Sequence, residues 1–130
     1  MRLLLDTCAL LWYLDGSERI QPALRDVLTD GRNDLYSSDV SLLEMVIKYQ
    51  LGKLPLPAPP SQLIPALRDR HGIEALALDA AAILALEHLP LLHRDPFDRL
   101  LVAQAVTRQL TLVTPDPMIR QYDVPCLWNP

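Results

Sequence analysis

The run His93-Arg94-Asp95-Pro96-Phe97-Asp98-Arg99-Leu100-Leu101-Val102-Ala103-Gln104-Ala105 sets two carboxylates at the mouth of an apolar helix. Pro96 suits the first helical position, and Asp95 before it is a natural cap for the free N–H groups. Asp98 falls one turn in, on the side shared by Leu101, Val102 and Ala105, a face expected to pack inward. A carboxylate on that edge either starts the helix or looks into a cleft as a ligand. Three more acids stand at comparable junctions. Asp6 closes the apolar strand Leu3-Leu4-Leu5, Glu44 interrupts the apolar run from Leu42 to Ile47, and Asp116 follows Leu112-Val113-Thr114. Converging carboxylates repel one another unless a cation sits among them. Oxygen donors select Mg²⁺ or Mn²⁺, ions that bind phosphate and acidify water, so the set suits a divalent-metal nuclease.

Each acid also has a local alternative. Asp6 can cap the helix that begins at Thr7, and Asp98 can meet the positive end of its own helix. Asp116 occupies a comfortable helix-start position. Glu44 can pair with Lys48 one turn later, although a surface pair of that kind contributes only a few tenths of a kcal/mol, roughly. Ser41, Thr7 and Thr114 carry hydroxyls able to orient ligands or waters, with helix capping as the competing role. His93 reads as a loop residue beside Asp98, with substrate contact as its alternative.

The elements that must position these groups alternate along the chain. Strands are expected at Arg2 to Leu5, Leu35 to Ser37, Ile73 to Leu78, Leu110 to Thr114 and Val124 to Trp128. Helices are expected at Thr7 to Leu14, Pro22 to Thr29, Ser41 to Leu51 (stopped by Gly52) and Ser61 to Arg70 (stopped by Gly72). Further helices are expected from Asp79 to about His88, from Asp95 onward, and briefly after Pro115-Asp116-Pro117. The Thr7 helix is apolar almost all round and should be enclosed. Pro55, Pro57, Pro59 and Pro60 read as an extended connector. The alternation points to an α/β fold, a three-layer α/β/α sandwich with a mainly parallel central sheet. Ligands in such sheets collect beyond the carboxyl ends of the strands, where Asp6 and Asp116 fall directly.

The chain has 130 residues, half of them apolar and 22% charged, which suits one domain over 1–130. No apolar run is long enough for a signal peptide or membrane span, so a cytoplasmic protein is expected. Cys8, in an apolar helix, is expected to be a small buried thiol, and Cys126 does not alter that compartment. The three histidines are too scattered to suggest zinc. A net charge of −4 argues against tight, sequence-independent duplex binding but permits a basic partner peptide. Lys48, Lys53, Arg68, Arg70, Arg94, Arg99 and Arg120 are the local basic candidates. Trp12, Tyr13 and Trp128 are read as packing residues. No glycine-rich phosphate loop follows the first strand.

Taken in order, strand-Asp6-Thr7, Ser41-x-x-Glu44, the Asp95 to Ala105 block and Leu112-Val113-Thr114-Pro115-Asp116 resemble PIN-domain ribonucleases. More narrowly, the chain resembles the VapC toxins of type II toxin–antitoxin pairs. Leu10-Leu11-Trp12, Ile47-Lys48, Gly52-Lys53-Leu54 and the Trp128 ending extend the likeness over nearly the whole length. The resemblance implies an acidic quartet of Asp6, Glu44, Asp98 and Asp116 binding Mg²⁺ or Mn²⁺, with Asp6 and Asp98 as principal ligands. It further implies an endoribonuclease cutting single-stranded or loop RNA, tRNA or rRNA being common targets. A cognate antitoxin would silence it, in a homodimer or a toxin–antitoxin hetero-oligomer. Cys8 stands where many relatives carry Asn or Ser. Two other readings are a PIN-like binding module that has lost hydrolysis and a phosphoacceptor signalling domain. The second wants adjacent acids after the first strand, whereas Asp6 is followed by Thr7-Cys8.

Overall fold

Five strands and six α-helices alternate in the computed structural model, which describes residues 1–129. Their order is β1 (Arg2–Leu5), α1 (Thr7–Asp15), α2 (Pro22–Thr29), β2 (Asp34–Ser38), α3 (Asp39–Gln50), α4 (Pro60–His71), β3 (Ile73–Leu76), α5 (Ala80–Ala85), α6 (Pro96–Arg108), β4 (Thr111–Val113) and β5 (Cys126–Leu127). Tight 3₁₀ turns follow α5 at Leu86–His88 and precede β5 at Ile119–Gln121. The strands pair in the order β3-β2-β1-β4-β5, and every pairing is parallel.

A parallel strand in mid-sheet is covered on both faces, which is why β1 carries the apolar run Leu3-Leu4-Leu5. Leu3 and Leu5 join Ala9, Leu10, Leu24, Ile64 and Val113 in the core beneath α1, α2 and α4. Leu4, turned the other way by the pleat, packs with Leu101, Val102, Ala105 and Leu112 beneath α6. Helix, sheet and helix therefore form three layers. Chain order reverses beside β1, which has β2 on one side and β4 on the other. The carboxyl ends of β1 and β4 flank a topological switch point, the usual place for a ligand crevice in such sheets. Gly72 stops its helix as expected and Gly16 ends α1 in the same way; their φ of 64° and 70° let their N–H groups return to carbonyls of the last turn.

Several boundaries differ from expectation for local reasons. Helix α3 starts at Asp39 rather than Ser41, because the Ser38 hydroxyl accepts from Val40 N at 2.9 Å and caps it. Strand β3 stops at Leu76, since Asp79 must leave the strand to cap α5 through Ala82 N. The helix expected after Pro117 shrinks to the turn at Ile119–Gln121, and β5 keeps only two residues of the expected strand. Helix α1 is not enclosed all round: it buries Thr7, Ala9, Leu10 and Tyr13. Cys8 lies on the other side and is exposed, contrary to the buried thiol expected. Trp12 and Trp128 do pack together, ring centroids 5.9 Å apart. Among the described residues no helix is long and apolar enough to cross a membrane.

Gln104 joins α6 to the carboxyl ends of two strands. It is 1% exposed, its Oε1 accepts from Ser38 Oγ, and its Nε2 donates to the Ala77 carbonyl at 3.2 Å. Replacing it with leucine strands the buried Ser38 hydroxyl and takes a donor from the Ala77 carbonyl. Gln104→Leu is expected to lower unfolding stability by about 2 kcal/mol in urea titrations, the cost of unmade buried hydrogen bonds. An unchanged transition midpoint would contradict this role.

Candidate active site

Asp6 is the first residue beyond β1, and the parallel ladder carries on through it: its N–H donates to the Val113 carbonyl at 3.0 Å. Thr114 continues β4 in the same way, donating to Leu127 O at 3.1 Å. The two residues are thus fixed side by side, and Thr114 Oγ1 donates to Asp6 Oδ2 at 2.5 Å. Asp6 Oδ1 accepts from Ala9 N at 2.7 Å, so the residue caps α1 as well. Thr114 Oγ1 also accepts from Asp116 N, and Asp116 Oδ1 from Met118 N, which ties the turn after β4 to the same chain of contacts. Capping and crevice placement coexist here.

A second set of contacts joins α1 to α3. Thr7 Oγ1 donates to Glu44 Oε1 at 2.7 Å and shares a hydrogen bond of 2.9 Å with Ser41 Oγ. Ser41 is fully buried and does not cap α3; Ser38 does. Lys48 Nζ lies 2.6 Å from Glu44 Oε2, so the ion pair forms. It is not a surface pair on the glutamate side, where the side chain is 8% exposed. Glu44 therefore gives one oxygen to Thr7 while the other is neutralised by Lys48 from outside.

Helix α6 supplies the third wall. Asp95 Oδ1 accepts from Phe97 N and Asp98 N, the cap expected. Asp98, half-buried, keeps its side chain free of that role and approaches His93 Nε2 at 3.3 Å. His93 in turn lies 2.7 Å from the Tyr122 hydroxyl, which Arg99 Nη1 also contacts at 3.0 Å. His93 was legible only as a loop residue near Asp98; Tyr122, 29 positions away, carries no sequence signal of its own. Two of the expected surface cations are structural instead. Arg99 is buried and donates to Pro90 O, because the loop before α6 folds over it. Arg68 reaches from α4 to the Ser37 hydroxyl at 2.7 Å.

The charges of these walls act on one another. Burial pushes the Asp6 carboxyl up to about 6, with the Asp98 and Asp116 charges adding and the Thr114 and Ala9 hydrogen bonds opposing. Asp98 is likewise raised to about 6, first by burial, then by the Asp95 charge, against the His93 contact, with Asp116 and Glu44 adding. Among the described residues no lysine or arginine forms an ion pair with Asp6, Asp98 or Asp116. The local excess of negative charge and the all-oxygen donor set fit a hard divalent cation. As they lie, no three acidic, histidine or cysteine side chains among the described residues close around one point. The carboxylate oxygens are instead held by neighbouring donors.

Known proteins bear on this geometry. A family model for the PIN domain matches residues 3–125. Ribonuclease VapC16 of Mycobacterium tuberculosis is 39% identical over 57 residues, 44% of this chain. That match spans only 40% of the relative's own length. VapBC2 of Rickettsia felis, solved bound to a promoter DNA fragment, superimposes with a TM-score of 0.74 over 99% of this chain and all of that one, at 17% identity. DNA-bound VapBC of Salmonella typhimurium gives 0.67 over 98% of this chain and 97% of that one, also at 17% identity. At such identities the superpositions establish the fold, whose three layers agree with the sequence expectation.

The raised carboxyls make the metal-free protein sensitive to pH. A proton on either group is favoured by folding, so its stabilising contribution is complete below pH 3.8 and is lost as pH rises through about 6. For Asp6 the difference is about 3 kcal/mol, from 1.36 kcal/mol per unit. The Tm of metal-free protein is expected to fall between pH 4 and 6.5 and to level off above, and Asp6→Asn to flatten that slope. A Tm independent of pH over this window would contradict the electrostatic picture.

Proposed function

The chain belongs to the PIN-domain family, and from that membership we propose that it is a divalent-metal-dependent endoribonuclease, the toxin of a type II toxin–antitoxin pair. On this reading residues 1–130 form one PIN domain acting in the cytoplasm on RNA, with tRNA or rRNA loops as targets. What supports the reading is that the charges of Asp98 and Asp116 raise the Asp6 carboxyl, and those of Asp116 and Glu44 raise Asp98, while among the described residues Lys48 on Glu44 is the one lysine or arginine ion-paired with the four acids. Asp6 and Asp98 would be the principal ligands of Mg²⁺ or Mn²⁺, with Glu44 and Asp116 completing the acidic set. When bound, the ion supplies Lewis acidity toward a phosphodiester and makes water a better nucleophile near neutral pH.

The chain's own residues prepare that site. Thr114 and the Ala9 amide fix the two oxygens of Asp6. Thr7 holds Glu44, and Ser41 supports Thr7, so the α3 carboxylate is set before any ligand arrives. Lys48 offsets one charge of the set from the rim. Oxygen ligands so positioned lose little freedom on binding.

A cognate antitoxin is the expected partner. With a net charge of −4, the metal-free crevice attracts a basic side chain, and arginine matches a carboxylate bidentately. Leu11 and Leu14 are half-buried and line an apolar groove with Trp12, Leu54, Leu63 and Leu67. The groove runs between the second half of α1 and α4 and can take the apolar part of such a segment. The R. felis and S. typhimurium relatives are themselves VapBC assemblies, which supports a protein partner here, in a hetero-oligomer or alongside a homodimer.

Three expected outcomes test the activity. Single-stranded and hairpin RNAs should be cut with Mg²⁺ or Mn²⁺ and left intact with chelator. Asp98→Asn should lower cleavage at least about 100-fold while keeping the helix start, because Asp95 remains its cap. Glu44→Gln should likewise reduce turnover about 10-fold or more, whereas Lys48→Met should leave most of it. Cleavage that persists in chelator, or an Asp98→Asn variant as active as the parent, would overturn the reading. Equal losses of turnover in Glu44→Gln and Lys48→Met would return Glu44 to a purely ion-pairing role.

A further inference from the structure

We infer that His93 and Tyr122 are positioning residues that hold the Asp98 carboxylate in its metal-facing orientation through a one-way chain of hydrogen bonds anchored on Arg99. This rests on the reading of Asp98 as a metal ligand. The direction of the chain follows from counting protons. Arg99 can only donate, and its Nη1 gives hydrogen bonds to the Pro90 carbonyl at 2.8 Å and the Tyr122 hydroxyl oxygen at 3.0 Å. Tyr122, 3% exposed, keeps one proton to give, and its partner is His93 Nδ1 at 2.7 Å. Nδ1 therefore accepts, the ring hydrogen sits on Nε2, and Nε2–H donates to Asp98 Oδ2 at 3.3 Å. The opposite tautomer would set the Nε2 lone pair against a carboxylate oxygen. It would also leave the buried Tyr122 proton without the acceptor this geometry provides.

The circuit leaves α6 at Arg99 and returns to α6 at Asp98, the neighbouring residue. On the way it ties down the loop before the helix, through Pro90 and His93, and the segment after the Ile119–Gln121 turn, through Tyr122. The His93 side chain is only 10% exposed, and its ring packs on that of Tyr122 with centroids 5.4 Å apart. A ring so enclosed is built to orient, not to meet substrate. Groups that bind a ligand's free oxygen in this way fix its direction and its basicity.

Ring ¹⁵N shifts of the metal-free, full-length labelled chain, recorded with His93 neutral, should report the Nε2–H tautomer. His93→Gln serves to assign the signal. Tyr122→Phe, which removes only the hydroxyl, should mix the two tautomers. By calorimetry, His93→Ala should weaken Mn²⁺ binding about 10- to 100-fold, and His93→Gln, which restores an N–H donor at similar reach, should recover most of it. An Nδ1–H tautomer in the parent chain would overturn the inference. So would a His93→Ala variant that binds Mn²⁺ as the parent does while Asp98→Asn does not; the metal reading then survives and the positioning role falls. Unchanged Mn²⁺ binding in Asp98→Asn would instead overturn the metal reading, and the inference with it.

Discussion

A carboxylate placed directly after three fully buried leucines governs the molecule. Leu3, Leu4 and Leu5 have no exposure, and the ladder to β4 continues through the Asp6 amide, so Asp6 must follow the strand into the interior. A charge there is unfavourable unless donors or cations meet it. Thr114 and the start of α1 supply donors, and burial still raises the carboxyl to about 6. The remaining acids worsen the repulsion. On the proposed function, a divalent ion is what relieves it, so a stability cost in the empty protein becomes affinity for the cofactor.

The scaffold divides the labour between rigid and adjustable parts. Asp6 and Glu44 are set by strand ladder, helix start and buried hydroxyls, all within the sheet and its covering helices. Asp98 and Asp116 sit at the rim, more exposed, and depend on loops that fold back across α6 and the end of β4. Arg99 shows how those loops are held: a buried guanidinium gathers Pro90 and Tyr122 in place of a hydrophobic plug. That arrangement makes the rim specific in conformation, at the expense of requiring several polar partners to be satisfied together.

Much of this was legible in the residues. The apolar triplet ending in Asp6, the Asp95-Pro96 helix start and the Leu112 strand before Asp116 each follow from local rules of burial and capping. Their coming together followed from the parallel alternation, since strands of one sheet present their carboxyl ends to one side. Residues whose partners are distant in the chain were not legible. For Ser41 the capping alternative falls away because Ser38, three positions earlier, takes that place. Arg68 and Arg99 read as surface cations, since nothing local shows which guanidinium will be enclosed. Cys8 read as buried because an apolar composition hides which side of α1 faces the sheet. The Tyr122–His93 contact depends on the whole path of the chain around β4.

The most direct test of the account is a crystal of the chain grown or soaked with Mn²⁺ and measured for anomalous scattering. The account predicts a peak bounded by Asp6, Glu44, Asp98 and Asp116, beyond the carboxyl ends of β1 and β4. A crystal that binds Mn²⁺ elsewhere, or shows no peak among these four carboxylates at saturating metal, would contradict it.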